Sequence, residues 1–325
     1  MAKFLVTGGA GFIGSNFLNI MVKKYPSNFY VCLDALTYAG NLENIKDVSL
    51  LPNFKFVHGN ICDKNLVFTL FEKEKFDYVI NFAAETHVDK SIKNPEKFIE
   101  TNITGTMVLL EASVKYGVKR FHQISTDEVY GDLPLEYKGK GFNENSALNP
   151  SNPYSASKAS ADLLTLAYAR TYGLDVTISR CSNNYGPCQF SEKLIPLIIK
   201  NIKEGKNIPI YGNGNNARDW IYVDDHCEAI ELIINKGRTG QIYNISAHYE
   251  LANITLAKLI INKFGLDDER ITFVNDRLGH DLRYSLDTEK IENELGWHPS
   301  VSFEEGIEKT LNWFNKKGEW LSFAE

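Results

Sequence analysis

The sequence has no paired cysteines. Its five, at 32, 62, 181, 188 and 227, form no Cys-x-x-Cys, and no histidine stands at metal-ligand spacing from them. An odd, irregular set of this kind reads as free thiols in a reducing compartment and implies no metal site. No stretch reaches eighteen consecutive apolar residues, so no membrane-spanning helix is expected. The opening "MAKFLVTGG" lacks a basic segment leading into a long apolar run. No signal peptide is therefore expected, and the cytoplasm is the default location. Excess positive charge is also missing. A net charge of −6 argues against nucleic acid or an anionic membrane as the main partner, while leaving room for a local basic pocket for a phosphate. Repeats, low-complexity segments and a linker able to separate independent domains are all absent.

The 325 residues present are 43% hydrophobic and 23% charged, which is ordinary globular usage. A chain of about 300 residues buries roughly 75% of its unfolded surface, enough for a large core and one or two domains. Through the first half, short apolar runs at 3–8, 29–34, 54–59, 77–84, 119–125 and 175–180 alternate with helical spacing at 12–25, 63–75, 95–116 and 153–172. Strands separated by helices predict a Rossmann-type, doubly wound α/β fold with a parallel sheet and right-handed crossovers. After Arg180 the rhythm breaks. Gly, Asn and Pro crowd 182–189 and 205–216, and helical patterns at 192–204, 224–236 and 303–316 flank the strand-like "QIYNIS". The expected division is a cofactor-binding domain, 1–180 plus about 223–245, which returns to the main sheet. A smaller mixed α/β C-terminal domain, about 181–222 and 246–325, caps it.

"VTGGAGFIGS" (6–15) spaces Gly8, Gly11 and Gly14 between a strand and a helix, where a dinucleotide pyrophosphate is held. Glycine permits the tight turn and the close approach of backbone to phosphate, and the helix N-terminus favours the anion. Such turns are common in structural roles. The second strand, however, ends at Asp34, twenty residues past Gly14, where a carboxylate can bind ribose hydroxyls and would repel a 2′-phosphate. Together they point to NAD rather than NADP. "QISTDEVYGDL" (123–133) places Asp127 and Glu128 side by side just past a strand, and "YSASK" places Tyr154 and Lys158 one helical turn apart. A loop "DE" is commonly solvated surface charge, and Tyr-x-x-x-Lys is a loose pattern. In sequence after a glycine turn they suggest proton traffic: a phenol beside an ammonium makes a base, and two carboxyls in a dry site seldom ionise together.

These residues, with "DALTYAGNLENI", "NFAAETHVDKSI", "NPYSASKASAD", "RCSNNYGPCQFSEKLIPL", "IPIYGNGNNARDWIYVDDH", "YNISAHYELANI", "DRLGH" and "ELGWHPSVSFEEGI", run along essentially the whole chain. The chain resembles the extended short-chain dehydrogenase/reductase family, and in it the branch of sugar-nucleotide 4,6-dehydratases, whose relatives that only epimerise or reduce typically lack the acid pair. The resemblance implies a hydro-lyase with tightly bound NAD and dTDP-glucose as substrate, yielding the 4-keto-6-deoxy sugar nucleotide for deoxysugars such as rhamnose. It implies that Tyr154 takes the C4 hydroxyl proton, Lys158 lowers the Tyr154 pKa and holds the nicotinamide ribose, and Thr126 hydrogen-bonds the C4 oxygen. Glu128 is then the base at C5, and Asp127 the acid for the departing C6 hydroxyl.

For the cofactor, the resemblance further implies Phe12 and Ile13 in the glycine turn, Asp34 to Thr37 (with Ala35 and Leu36), Asn60, Ile61, Ala83, Ala84, Glu85, Thr101 and Asn184. For the substrate it implies Thr86, Asn183, Glu192, Lys193, Leu194, Pro209, Ile210, Tyr211 as a stacking face for the base, Arg218, Asn253, Arg277 and His280. A homodimer is expected through the helices at 95–116 and 153–172. Asn60, Lys90, Leu278 and "ISAH" depart from the commonest family pattern; the Asn60 amide oxygen can still accept from the adenine amino group, and the last two leave the substrate-side loops less defined than the catalytic set. A dehydratase or epimerase for another nucleotide sugar stays open, as does a non-catalytic dinucleotide-binding protein, which would need none of the Tyr, Lys, Asp and Glu set.

Overall fold

The computed structural model describes residues 1–317, so the last eight residues of the expected second domain, 318–325, lie outside the described residues. Its strands are β1 (Lys3–Thr7), β2 (Phe29–Asp34), β3 (Phe54–His58), β4 (Tyr78–Asn81), β5 (Arg120–Thr126), β6 (Val176–Cys181), β7 (Asn183–Tyr185), β8 (Ile208–Tyr211), β9 (Ala217–Tyr222), β10 (Gln241–Ile245), β11 (Glu250–Ala252) and β12 (Ile271–Val274). Seven of them form one sheet in the order β10-β6-β5-β4-β1-β2-β3, with every neighbouring pair parallel. A parallel sheet has both faces covered, so its strands read as continuous apolar runs rather than alternating ones. On one face the helices Phe12–Lys24 and Val223–Lys236 bury Phe17, Leu18, Met21, Cys227 and Ile230 against Val6 and Ile80. On the other, Lys64–Glu74 and Thr106–Tyr116 bury Val67, Phe71, Leu109 and Leu110 against Leu5, Val31 and Val79.

The chain winds outward from β1 through β2 to β3, then crosses back to β4 and continues through β5 and β6 to β10. The reversal between β1 and β4 opens a crevice at the carboxyl ends of the strands, the usual ligand position in such a sheet. β10 arrives from the second half of the chain and pairs with β6 at the edge of the main sheet. The rest of that half builds two smaller sheets, β11-β9-β7 and β12-β8, over their own core of Ile195, Ile198, Trp220, Leu256, Ile260 and Phe314.

Two expected elements differ in ways that shape the crevice. β4 stops at Asn81 instead of reaching 84, because the chain there must leave the sheet to pass Gly8. The helix expected at 95–116 is interrupted by a π-helical stretch, Ile99–Gly105. Such bulges recur at functional sites. Here Asn102 turns its amide onto the Glu85 backbone, accepting from its N–H at 2.8 Å and donating to its carbonyl at 3.0 Å. The helices Asn253–Lys263 and Glu289–Leu295 and strands β7, β8, β9, β11 and β12 were not separable in the sequence, where short elements and Gly/Asn turns obscure periodicity.

Candidate active site

The glycine turn follows from β1 ending at Thr7. Gly8 takes φ +64°, and a Cβ there would lie 2.6 Å from the Ala83 backbone nitrogen; a Cβ on Gly14 would lie 2.5 Å from the Gly8 carbonyl oxygen. Only glycine lets the turn and β4 approach this closely. The helix Phe12–Lys24 starts at Gly11 with no side-chain cap, leaving its first N–H groups for an anion. Asp34, at the end of β2, accepts from the Ala10 N–H at 2.9 Å and the Leu36 N–H at 2.8 Å. Burial raises its pKa, and these two backbone donors pull it back. A carboxylate has about four acceptor positions, so two remain for ribose hydroxyls. An uncapped helix start, a cradle that a Cβ would fill and a ribose-side carboxylate together fit NAD.

One cleft joins this turn to the carboxyl ends of β4, β5 and β6. It is lined by Gly8, Gly11, Phe12, Ile13, Gly14, Asp34, Ala35, Thr37, Asn60, Ile61, Ala83, Ala84, Glu85, Thr86, Thr101, Thr126, Asp127, Glu128, Tyr154, Lys158, Asn183, Asn184, Glu192 and Lys193. Leu36 is not among the lining; at φ +48° it supplies its N–H to Asp34. The Asn60 amide oxygen accepts from the Cys62 N–H at 2.9 Å, so one of its lone pairs closes a local turn.

The catalytic candidates sit where β5 ends. Thr126 caps the short helical turn Asp127–Tyr130 by accepting from the Glu128 N–H, and donates to Asp127 Oδ1 at 3.1 Å. Asp127 Oδ2 and Glu128 Oε2 are buried without a hydrogen-bond partner. Burial pushes the Asp127 carboxyl well above the usual carboxylate range, and the Glu128 charge adds to this. Burial also raises Glu128, opposed by the cations Arg277, Lys193 and Arg218. Adjacent in the chain, the two carboxyls therefore meet different fields, the condition for one to act as acid and the other as base.

Tyr154 and Lys158 stand on the helix Pro153–Tyr172, which begins with Asn152 and Ser155 in a reciprocal capping box and Pro153 in its first turn. Lys158 Nζ donates to the Ile124 carbonyl at 2.6 Å. The expected lowering of the Tyr154 pKa is not what this environment produces. Burial and the nearby Glu128 push the phenol well above its ordinary value, with a Thr126 hydrogen bond opposing them. The reason is that the phenol is dry and faces anions.

Of the other predicted residues, Asn183, Glu192 and Lys193 bring the second half of the chain into the wall of the cleft. Lys193 Nζ donates to the Thr86 carbonyl at 3.0 Å, and Glu192 Oε2 meets Lys90 Nζ at 3.2 Å and His87 Nε2 at 3.5 Å. Lys90 also lies 3.7 Å over the Tyr38 ring. Leu194 opens the helix Leu194–Lys203 and packs into the second core. Arg218 donates to the carbonyls of Ala217, Asp281 and Leu282 and stacks 4.3 Å over Tyr284. Arg277 keeps a buried Nε without a partner. His280 pairs with Asp276 at 2.6 Å and meets the Tyr211 ring edge-on. Tyr211, 41% exposed, follows Pro209 and the buried Ile210 on β8, and Asn253 donates its N–H to Asn216. Leu194, Pro209, Ile210, Tyr211, Arg218, Asn253, Arg277 and His280 do not line the cleft itself. Arg277 and Arg218 reach it through their charge on Glu128.

A family model described as GDP-mannose 4,6 dehydratase matches residues 5–310. The chain belongs to this family. Among its curated relatives, the dTDP-glucose 4,6-dehydratase of Salmonella typhimurium strain LT2 is 47% identical, over 98% of this chain and 94% of its own. That of an Actinoplanes strain is 45% identical, over 98% and 99%. The crystal structure of DesIV, a dTDP-glucose 4,6-dehydratase from Streptomyces venezuelae with NAD and TYD bound, superimposes with a TM-score of 0.95 at 46% identity, covering 99% of this chain and 100% of that one. A UDP-glucose 4-epimerase from Thermotoga maritima with UDP-glucose gives 0.90 at 33%, covering 98% and 100%. In this member of the GDP-mannose 4,6 dehydratase family, the cleft also includes Tyr38, Gly40, Ser125, Cys181, Ser182, Gln189 and Phe190, which sequence reasoning did not select. Cys181, Ser182, Gln189 and Phe190 lie inside the quoted "RCSNNYGPCQFSEKLIPL" segment, and their position beside Asn183 and Glu192 was the available signal.

Proposed function

We propose that the protein is a dTDP-glucose 4,6-dehydratase, an NAD-dependent hydro-lyase that converts dTDP-glucose to dTDP-4-keto-6-deoxyglucose for deoxysugar synthesis. The observation that carries this reading is the Asp127–Glu128 pair, each with one buried oxygen that has no hydrogen-bond partner, in one cleft with Tyr154 and Thr126. Elimination needs one carboxylic acid and one carboxylate within reach of adjacent sugar carbons, and an epimerisation needs neither. Full-length identity near 46% to enzymes of that name supports the same conclusion.

NAD, held against Gly8, Gly11, Gly14 and Asp34, would supply the acceptor for the C4 hydride and its donor at C6. Tyr154 removes the C4 hydroxyl proton, and Thr126 donates to the C4 oxygen. Lys158, fixed by the Ile124 carbonyl, supplies the positive charge that offsets the anions around the phenol. The C4 ketone makes the C5 hydrogen acidic. Glu128, kept ionisable by Arg277, Lys193 and Arg218, removes it. Asp127, whose carboxyl burial and the Glu128 charge hold well above the usual carboxylate range, gives its proton to the departing C6 hydroxyl, and a proton returns to C5 as hydride is added at C6.

Residues 1–180 with about 223–245 are assigned to the cofactor, and about 181–222 with 246–325 to the sugar nucleotide. Gly8, Gly11, Phe12, Ile13 and Gly14 take the pyrophosphate, and Arg218, Arg277, Asn253 and His280 the substrate diphosphate. Guanidinium suits phosphate through paired hydrogen bonds. A homodimer through the helices that contain Thr106–Tyr116 and Pro153–Tyr172 belongs to the same reading, supported by the exposed Ile99, Val114, Leu163 and Tyr172. A cytoplasmic location rests on five free thiols. The test is turnover on dTDP-, UDP-, CDP- and GDP-glucose side by side. The reading expects the thymidine compound to lose water with the highest kcat/KM; a higher value for any other base would overturn the substrate assignment.

A further inference from the structure

The helix that carries Tyr154 and Lys158 holds a third ionisable side chain on the same face. Asp162 lies one turn beyond Lys158. It is completely buried, and Lys158 nearly so. From β6, Arg180 donates its Nε to Asp162 Oδ2 at 2.9 Å, and its guanidinium lies 4.7 Å over the Tyr130 ring. The contact is single rather than forked. Asp162 Oδ1 and Arg180 Nη1 are both buried without a hydrogen-bond partner. An Arg–carboxylate pair built only as a strut is usually bidentate, and buried ion pairs are weak sources of stability. Two cations and one anion therefore share a dry seam between the helix, β5 and β6, with half of the anion unclaimed by the guanidinium.

We propose that Asp162 is a positioning residue for the C4 oxidation, keeping the Lys158 ammonium charged where the Ile124 carbonyl holds it, with Arg180 as the brace that fixes the Asp162 carboxylate. This rests on the dehydratase reading for its catalytic consequence, though not for its electrostatics. Lys158 donates to the Ile124 carbonyl of β5 and shares the cleft lining with Tyr154, Asp127, Glu128 and Cys181, while Asp162 stands one turn along its own helix, tied to Arg180 of β6. Burial works against its charge, and Asp162 is the largest opposing influence, ahead of Cys181. Removing Asp162 takes away the largest influence favouring the Lys158 charge and leaves Arg180 without its carboxylate partner. Because guanidinium does not deprotonate in proteins, Lys158 is the group that gives up its proton.

The experiment is 13C NMR of the NAD-loaded protein labelled at the lysine ε-carbon, with the Lys158 resonance assigned by Lys158→Arg. In the unaltered protein Lys158 is expected to be charged at neutral pH. Asp162→Asn is expected to lower its titration midpoint by about one pH unit, a tenfold loss of proton affinity, and Asp162→Glu to restore it. The alkaline limb of NADH formation on mixing with dTDP-glucose should move to lower pH with the midpoint. A midpoint unmoved in Asp162→Asn overturns the proposal, since a purely structural strut would change melting but not titration. So does a Lys158 already neutral at neutral pH in the unaltered protein, which decides the matter if Asp162→Asn does not fold. Absence of NADH formation in the unaltered protein with the NMR shift intact would instead indict the dehydratase reading.

Discussion

Asp127 and Glu128 are neighbours in the chain, yet what surrounds them divides their chemistry. Glu128 faces three cations and Asp127 faces Glu128. If Glu128 is the base at C5, Glu128→Gln should still form NADH on mixing with dTDP-glucose, followed at 340 nm. Dehydration should fall about 10²–10⁴-fold, the usual worth of a general base. Tyr154→Phe should instead suppress NADH formation itself. Asp127 also makes a prediction about stability. A carboxyl whose folded pKa is raised contributes fully below its unfolded value of about 3.9, and that contribution is lost as pH rises through the folded value. An amide does not titrate, so Asp127→Asn should gain stability relative to the unaltered protein between pH 4 and pH 8. The gain is read as a melting-temperature difference by calorimetry at the two pH values. An identical difference at both would show that Asp127 is not perturbed. At this scale the sequence named all five catalytic candidates through spacing and resemblance. It did not foresee that Tyr154 would sit above its ordinary pKa, because desolvation is set by what packs over a residue and is invisible in spacing.

At the scale of elements, the cofactor turn depends on backbone contact rather than on side chains. Gly14→Ala would drive a Cβ to within 2.5 Å of the Gly8 carbonyl. The expected outcome is a folded protein that has lost bound NAD, seen by chromatography of cofactor released on denaturation; retention of NAD at full occupancy would contradict it. The same assay on the unaltered protein should release NAD and not NADP, because the Asp34 carboxylate stands where a 2′-phosphate would lie. β1, β2 and the helix between them were legible because long periodic segments and glycine punctuation agree. The π-helical Ile99–Gly105 was not, since the Asn102 amide within it meets its partner, the Glu85 backbone, only in the folded chain. Short strands such as β7 and β11, three residues each, carry too little pattern to be read before the folded chain brings their partners together.

At the scale of the whole molecule, the crevice is closed on one side by the parallel sheet and on the other by the chain after Arg180. Lys193 to Thr86 and Glu192 to Lys90 tie the two together across it. The homodimer reading places Leu163, 59% exposed, in the contact between copies. Leu163→Asp should shift the mass found by light scattering from that of a dimer, twice 36.8 kDa, towards that of one chain; an unaltered protein that is already a monomer at micromolar concentration would refute the interface. The account as a whole turns on whether the acid pair performs an elimination. Its most direct test is mass spectrometry and NMR of dTDP-glucose after incubation with the protein in heavy water. The predicted product is lighter by one water, ketonic at C4, and carries deuterium at C5. Recovery of dTDP-glucose unchanged, or of a C4 epimer of the same mass without loss of water, would contradict the assignment of Asp127 and Glu128.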